Sequence, residues 1–225
     1  HTAFVFDLVS QLPPGVVAPM IRGSNRNPDF LASVLSHLEA GPVAGALNDN
    51  PAFLQTLLSD LTGQMGTAMA LGVTDNWLAG RGFLSAVIGA LDPAVLAVAV
   101  NANPAFLEGF MANASSLTAE QLAHGINQNV ATHPFGSDLI SVLVTNISTT
   151  AAAALAQGVN QNVAGNPADN LLTGLLANTN GATGAAIAAG LNNNPSFIRV
   201  VLNGITPATA VAATNAVNLS CQRAQ

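Results

Sequence analysis

One short phrase recurs along this chain, and its spacing constrains the fold more than any other feature. Asn-x-Asn stands at Asn25-Arg26-Asn27, Asn48-Asp49-Asn50, Asn101-Ala102-Asn103, Asn127-Gln128-Asn129, Asn160-Gln161-Asn162 and Asn192-Asn193-Asn194. Thr74-Asp75-Asn76 is a degenerate copy, and Asn218 opens an unfinished one. Successive phrases begin 23 to 33 residues apart. Self-similarity at such a period marks a repeat architecture, in which a unit buries its apolar face only against its neighbours.

Two short helices are expected between successive phrases. The first opens on Asn-Pro, as at Asn27-Pro28, Asn50-Pro51, Asn103-Pro104, Asn166-Pro167 and Asn194-Pro195. Asn accepts a bond from an orphan amide of the first turn, and Pro at the next position lacks an N–H that has no partner there. Apolar residues then recur with helical period: Phe53, Leu54, Leu57, Leu58 and Leu61; Leu171, Leu172, Leu175 and Leu176; Phe197, Ile198, Val201, Leu202 and Ile205. The second helix is built of small residues and is expected over 93–100, 119–126, 151–159, 184–191 and 207–217. Asp92 and Thr206 read as its caps, and Thr118 with Gln121 reads as a capping box. Its end is read in Gly125-Ile126-Asn127, Gly158-Val159-Asn160 and Gly190-Leu191-Asn192. There the first Asn, tolerant of the left-handed conformation, closes one helix, and the last Asn caps the next. Val130-Ala131-Thr132-His133 and Val163-Ala164-Gly165-Asn166 read as lengthened hinges that leave the helices unchanged.

Isolated helices shorter than about 12 residues are marginal in water. The expected fold is therefore all-α, a helical-repeat array (an α-solenoid) of about seven two-helix units over 25–218. A globular all-α bundle is the alternative. Residues 1–24 read as an N-terminal capping helix (2–12) and a linker opened by Pro13-Pro14-Gly15, and 219–225 as a tail. With Phe4, Val5, Phe6, Leu8 and Val9 at one end, such an array is weakly capped. Weak caps favour a heterologous end-to-end contact that propagates into a filament.

Composition narrows the partners. Only 7% of the 225 residues are charged and mean hydropathy is +0.44, so the surface is built largely from neutral polar and small residues. There is no Lys, and the net charge is -6, which argues against nucleic acid and against a polybasic membrane patch. Little charge repulsion separates copies of such a chain, which favours a homo-oligomer or polymer, or contact with an apolar ligand. The most apolar stretch, 83–100, is broken by Asp92-Pro93, so no transmembrane segment is expected. The single Cys221 is a free thiol or a bridge between chains. A chain opening on His1 reads as processed or engineered, and an extracellular or cell-surface location is expected.

Chemistry is hard to find. No GxSxG, HExxH, Walker loop or paired CxxC occurs. His1, His37, His124 and His133 lie in different units, without ligand spacing. Asp60, Glu108 and Asp169 fall on first helices, dispersed rather than paired. Ser36, His37 and Asp60 can be drawn as a triad, but their spacing gives it no weight. No catalytic, cofactor-binding or metal-ligating residue is expected, and the chain does not read as an enzyme. Arg22 and Arg26 flank the first hinge, where they hold an anion or are simply solvated. Trp77 reads as core packing in the irregular unit, with a partner anchor as the alternative. Asn113, Asn146 and Asn218 match the glycosylation pattern Asn-x-Ser. The expected function is a structural, self-assembling protein of a surface layer, sheath or fibre. The alternative is a carrier of an apolar ligand such as a lipid or pigment.

Overall fold

The computed structural model describes residues 11–38 and 41–223, and among them all regular structure is helical. The helices, in chain order, are α1 (Pro14–Ser24), α2 (Pro28–His37), α3 (Gly41–Asp49), α4 (Pro51–Asp60), α5 (Gly63–Leu78), α6 (Phe83–Ala90), α7 (Pro93–Ala102), α8 (Pro104–Asn113), α9 (Ser116–Thr132), α10 (Leu139–Asn146), α11 (Thr149–Gly165), α12 (Leu171–Asn178), α13 (Gly181–Asn193), α14 (Pro195–Gly204) and α15 (Pro207–Arg223). The capping helix expected over 2–12 falls almost entirely outside the described residues, as does His1.

Helix starts follow the local chemistry. Asn27, Asn50, Asn103 and Asn194 accept the amides of Phe30, Phe53, Phe106 and Phe197 at 3.0–3.2 Å, each with Pro at the first helical position. Asp92 caps α7 and Thr206 caps α15. Two expected starts are displaced. α9 begins at Ser116, capped by Ser115, and not at a Thr118 capping box. Thr118 and Gln121 are fully buried, and their side chains bond across to α5, at Thr74 Oγ1 and the Val73 carbonyl. α12 is capped by Asn170 rather than Asn166.

The lengthened hinges are not hinges. Val130 to Thr132 and Val163 to Gly165 continue α9 and α11, so Asn127–Asn129 and Asn160–Asn162 lie inside helices. The irregular connections come afterwards, at 133–138 and 166–170. Nor does the first Asn of the phrase close its helix in the left-handed conformation, because no described non-glycine residue has positive φ.

Tertiary packing follows a step of three. α1 packs on α4, α4 on α7, α7 on α10 and α10 on α13. A second ladder runs α2, α5, α8, α11, α14, and a third α3, α6, α9, α12, α15. Chain neighbours meet at corners, bending by 112° between α6 and α7, 111° between α10 and α11, and 115° between α14 and α15. The two-helix sequence repeat is thus not a hairpin and not the unit of packing. Even-numbered helices carry the Phe and Leu pattern and odd-numbered ones the small residues, a period of two set against a ladder step of three. Every bulky helix inside a ladder therefore rests between two small-residue helices.

Glycine makes that contact close. A Cβ on Gly125 of α9 would stand 2.7 Å from the Ser85 carbonyl of α6, and one on Gly158 of α11 2.7 Å from the Glu108 carbonyl of α8. Gly190 of α13 meets Ser141 and Val144 of α10 in the same way. The Gly of the Gly-x-Asn signature is a packing residue facing the preceding layer of helices, not a stop signal.

Corners from an even to an odd helix are made of two extended residues, the first of which is Leu61 (φ -72, ψ 140), Leu91 (φ -74, ψ 139) or Ile147 (φ -65, ψ 131) and the second the N-cap Thr62, Asp92 or Ser148. The side chains of these first residues, with that of Ala114, are buried, and Leu61 and Leu91 join Met65, Phe83 and Val87 in one apolar cluster. No single described helix is long and apolar enough to cross a membrane.

Candidate functional site: amide clamps at the corners

The asparagines that open and close the repeated phrase share the corners between them. The opening Asn reaches a corner later in the chain. The amide nitrogens of Asn25, Asn48, Asn101, Asn127 and Asn160 donate to the carbonyls of Asp60, Ala90, Asn146, Asn178 and Gly204, all at 2.8 Å. Their side-chain oxygens accept the amides two residues further on, at Thr62, Asp92, Ser148, Asn180 and Thr206, at 2.8–3.3 Å. Both bonds span one corner, at a point where the turn of the backbone leaves its own amide and carbonyl unpaired within the helices.

The closing Asn reaches a corner earlier in the chain. Nδ2 of Asn103 donates to the carbonyls of Leu58 and Leu61. Asn76 does the same at Leu35 and Leu38, Asn129 at Leu91, Asn162 at Ala112 and Ala114, and Asn194 at Val144 and Ile147. The oxygen of each accepts an amide of the first turn of the next even helix. For Asn103 and Asn194 that residue is three positions on, but for Asn76, Asn162 and Asn129 it is Phe83, Leu171 and Leu139, seven, nine and ten positions on. The amide keeps its partners whether or not the helix runs past it.

An inner corner is therefore held from both sides. Asp60-Leu61-Thr62 is gripped by Asn25 from the earlier layer and by Asn103 from the later one. The degenerate copy conforms: where the opening Asn is Thr74, its hydroxyl meets Ser115 Oγ at 2.9 Å and Thr118 Oγ1 at 2.6 Å, at the corner between α8 and α9. These clamps are what the sequence reading missed. The signal was the fixed phrase itself, but its partners across the corners lie 35 to 56 residues away.

The other candidates stay apart. Among the described residues no three of His, Cys, Asp and Glu gather in a metal-binding group. Nδ1 of His37 lies 2.9 Å from Ser36 Oγ and from the Ser33 carbonyl, and no bond to Asp60 completes a triad among the described residues. His124 stacks on Trp77, with ring centroids 6.3 Å apart, and lies 3.5 Å from Glu120. That places half-buried Trp77 in a contact between α5 and α9. His133 turns back on the Asn129 carbonyl. Arg22 and Arg26 are exposed and have no ion pair among the described residues. Nδ2 of Asn113 donates to Thr67 Oγ1 and to the Gly109 carbonyl, and Nδ2 of Asn146 to the Val142 carbonyl, while Asn218 and Cys221 are exposed on α15. No family model, curated protein or solved structure matches the chain.

Proposed function

We propose that this chain is a structural protein that assembles with copies of itself, as the subunit of a surface layer, sheath or fibre. In this reading the three ladders form an α-solenoid with three helices to a turn, stiffened at its corners by the asparagine clamps. One observation carries the proposal. Leu202 of α14 is 64% exposed, whereas Leu35 and Leu58, eight residues after their own capping Asn like Leu202, are 6% exposed. The apolar stripe of the last even helix thus ends on an exposed Leu202 where its counterparts are covered, its Phe197, Ile198 and Val201 are only half-buried, and α14 has no buried residue although its apolar side chains share one face. Burying apolar area yields about 25 cal/mol per Å², and a surface with so few charges offers little repulsion against contact between copies. An extracellular or cell-surface location belongs to the same proposal and rests on composition, a lysine-free chain with one cysteine.

The competing reading, a carrier of an apolar ligand, has less behind it. Two surface clefts, one lined by Leu176, Val217 and Cys221 and the other by Val95 and Val98, are open and about 230 Å³ each. Ligand sites are usually about 300–1,000 Å³ and enclosed. Electron microscopy and concentration-dependent light scattering of the purified chain test the proposal. Rods, fibres or sheets are expected. A monodisperse monomer at all concentrations, with a lipid or pigment in its organic extract, would favour the carrier instead.

A further inference from the structure

We infer that copies of this chain stack head to tail in one register, with α1 and α2 of one copy seated on α14 and α15 of the copy before it. The inference rests on the self-assembly reading and specifies its interface. Three rotations about the ladder axis would place α1 on α13, on α14 or on α15. Inside the chain, odd helices pack on even ones throughout the ladders. Only α14 is even, so only that rotation continues the alternation, and it sets α2, an even helix, on α15, an odd one.

Side chains at the two ends agree with it. Phe30 of α2 is 57% exposed, whereas Phe53, Phe106 and Phe197, in the same place after their capping Asn, are half-buried. Val34 is exposed where Val87 and Phe110 are buried. On the opposite end Leu202 is exposed, and so is Val217 of α15, whose counterparts Val73 and Val159 are buried. Each end leaves uncovered the side chains that inner layers cover.

The clamps supply the register. Asn27 accepts the Phe30 amide but has no acceptor for its own Nδ2 among the described residues, unlike Asn76, Asn103, Asn129, Asn162 and Asn194. The corner Gly204-Ile205-Thr206 is gripped by Asn160 from the earlier side and lacks a second clamp among the described residues. With α1 on α14 and α2 on α15, Asn27 lies over that corner as Asn129 lies over the corner at Leu91. Exposed Asn192, which makes no side-chain bond among the described residues, then lies under the corner at Leu12, whose carbonyl Asn50 of the same copy holds at 3.1 Å.

Paired blocking variants test the inference, read by size-exclusion chromatography with light scattering. Phe30→Asp disables one end and Leu202→Asp the other. Both sites are exposed, so each variant retains its fold, checked by circular dichroism. Each alone is expected to be monomeric, and a 1:1 mixture is expected to form dimers and nothing larger. Asn27→Asp keeps the acceptor that caps α2 and replaces the donor by a carboxylate facing carbonyls, so it weakens association about tenfold or more without lowering Tm at dilutions where both proteins are monomeric. In a Cys221→Ser background, Asn27→Cys with Ile205→Cys is expected to cross-link between copies through a short bismaleimide, and Asn27→Cys with Asn194→Cys is not. Dimers of either blocking variant alone would overturn the head-to-tail contact while leaving self-assembly intact. Cross-linking at 27–194 would overturn the register alone. A wild-type chain that stays monomeric at every concentration would overturn this inference and the self-assembly reading together.

Discussion

A carboxamide carries a donor pair and an acceptor on one short planar group, which is why Asn serves at positions where one side chain must satisfy a carbonyl on one strand of the chain and an amide on another. Asn103 does both while almost completely buried. Asn103→Asp keeps the bond from the Phe106 amide but turns a charged acceptor toward the carbonyls of Leu58 and Leu61. It is expected to destabilise the fold by about 2–4 kcal/mol, measured by urea unfolding, because buried acceptors lose their donor and a charge is left unpaired. The same change at Asn27, exposed and without those acceptors, leaves stability nearly unchanged. The N-cap role of these residues was legible in the sequence, since capping is settled within three residues. Their second role was not, because Leu58 and Leu61 stand more than forty positions from Asn103 and nothing local marks them.

At the scale of the helix, alternation of bulky and small elements was legible, and the identity of each element's neighbour was not. Small residues read as permission for close approach, but the partner is the third helix along, not the next. Gly66 of α5 shows the difference. A Cβ there would stand 2.6 Å from the Phe110 amide nitrogen and 2.7 Å from the Phe106 carbonyl of α8. Gly66→Ala is expected to cost about 1–3 kcal/mol through overpacking against backbone that has nowhere to move. Gly184 of α13 has nothing within 4 Å of such a Cβ. Gly184→Ala is expected to stabilise by up to about 1 kcal/mol through helix propensity alone. Thermal unfolding followed by circular dichroism separates the two signs. The extra residues after Asn129 and Asn162 were misread for a related reason. A hinge and an added helical turn have the same length in sequence, and Ala- and Val-rich segments extend a helix wherever neighbouring helices leave room.

For the molecule as a whole, cohesion comes from contacts between successive layers, and ion pairs contribute little. Among the described residues the one ion-pair contact joins His124 and Glu120, both partly exposed. Raising sodium chloride from about 0.05 to 1 M is expected to change unfolding stability by less than roughly 0.5 kcal/mol, since screening acts on terms that are already small. Tm is expected to rise with protein concentration, because copies that associate only when folded stabilise the folded state by mass action. A Tm independent of concentration over two decades would count against the assembly reading.

The chain by itself determined that it is helical, the Asn-Pro, Asp92 and Thr206 caps, the alternation between bulky and small helices, and the recurrence of the asparagine phrase, because each of these depends on residues within one or two turns of one another, whereas the starts of α9 and α12 did not follow the local signals. Tertiary structure alone decided that each helix packs on the third one along, that the phrase clamps one corner ahead and one behind, and which side chains are left facing outward on the first and last helices. The physical reason is the corner. Two extended residues bend the path by a little over 110° at the corners between α6 and α7, α10 and α11, and α14 and α15, and only the accumulated angle of successive corners brings distant carbonyls beneath the asparagines that hold them.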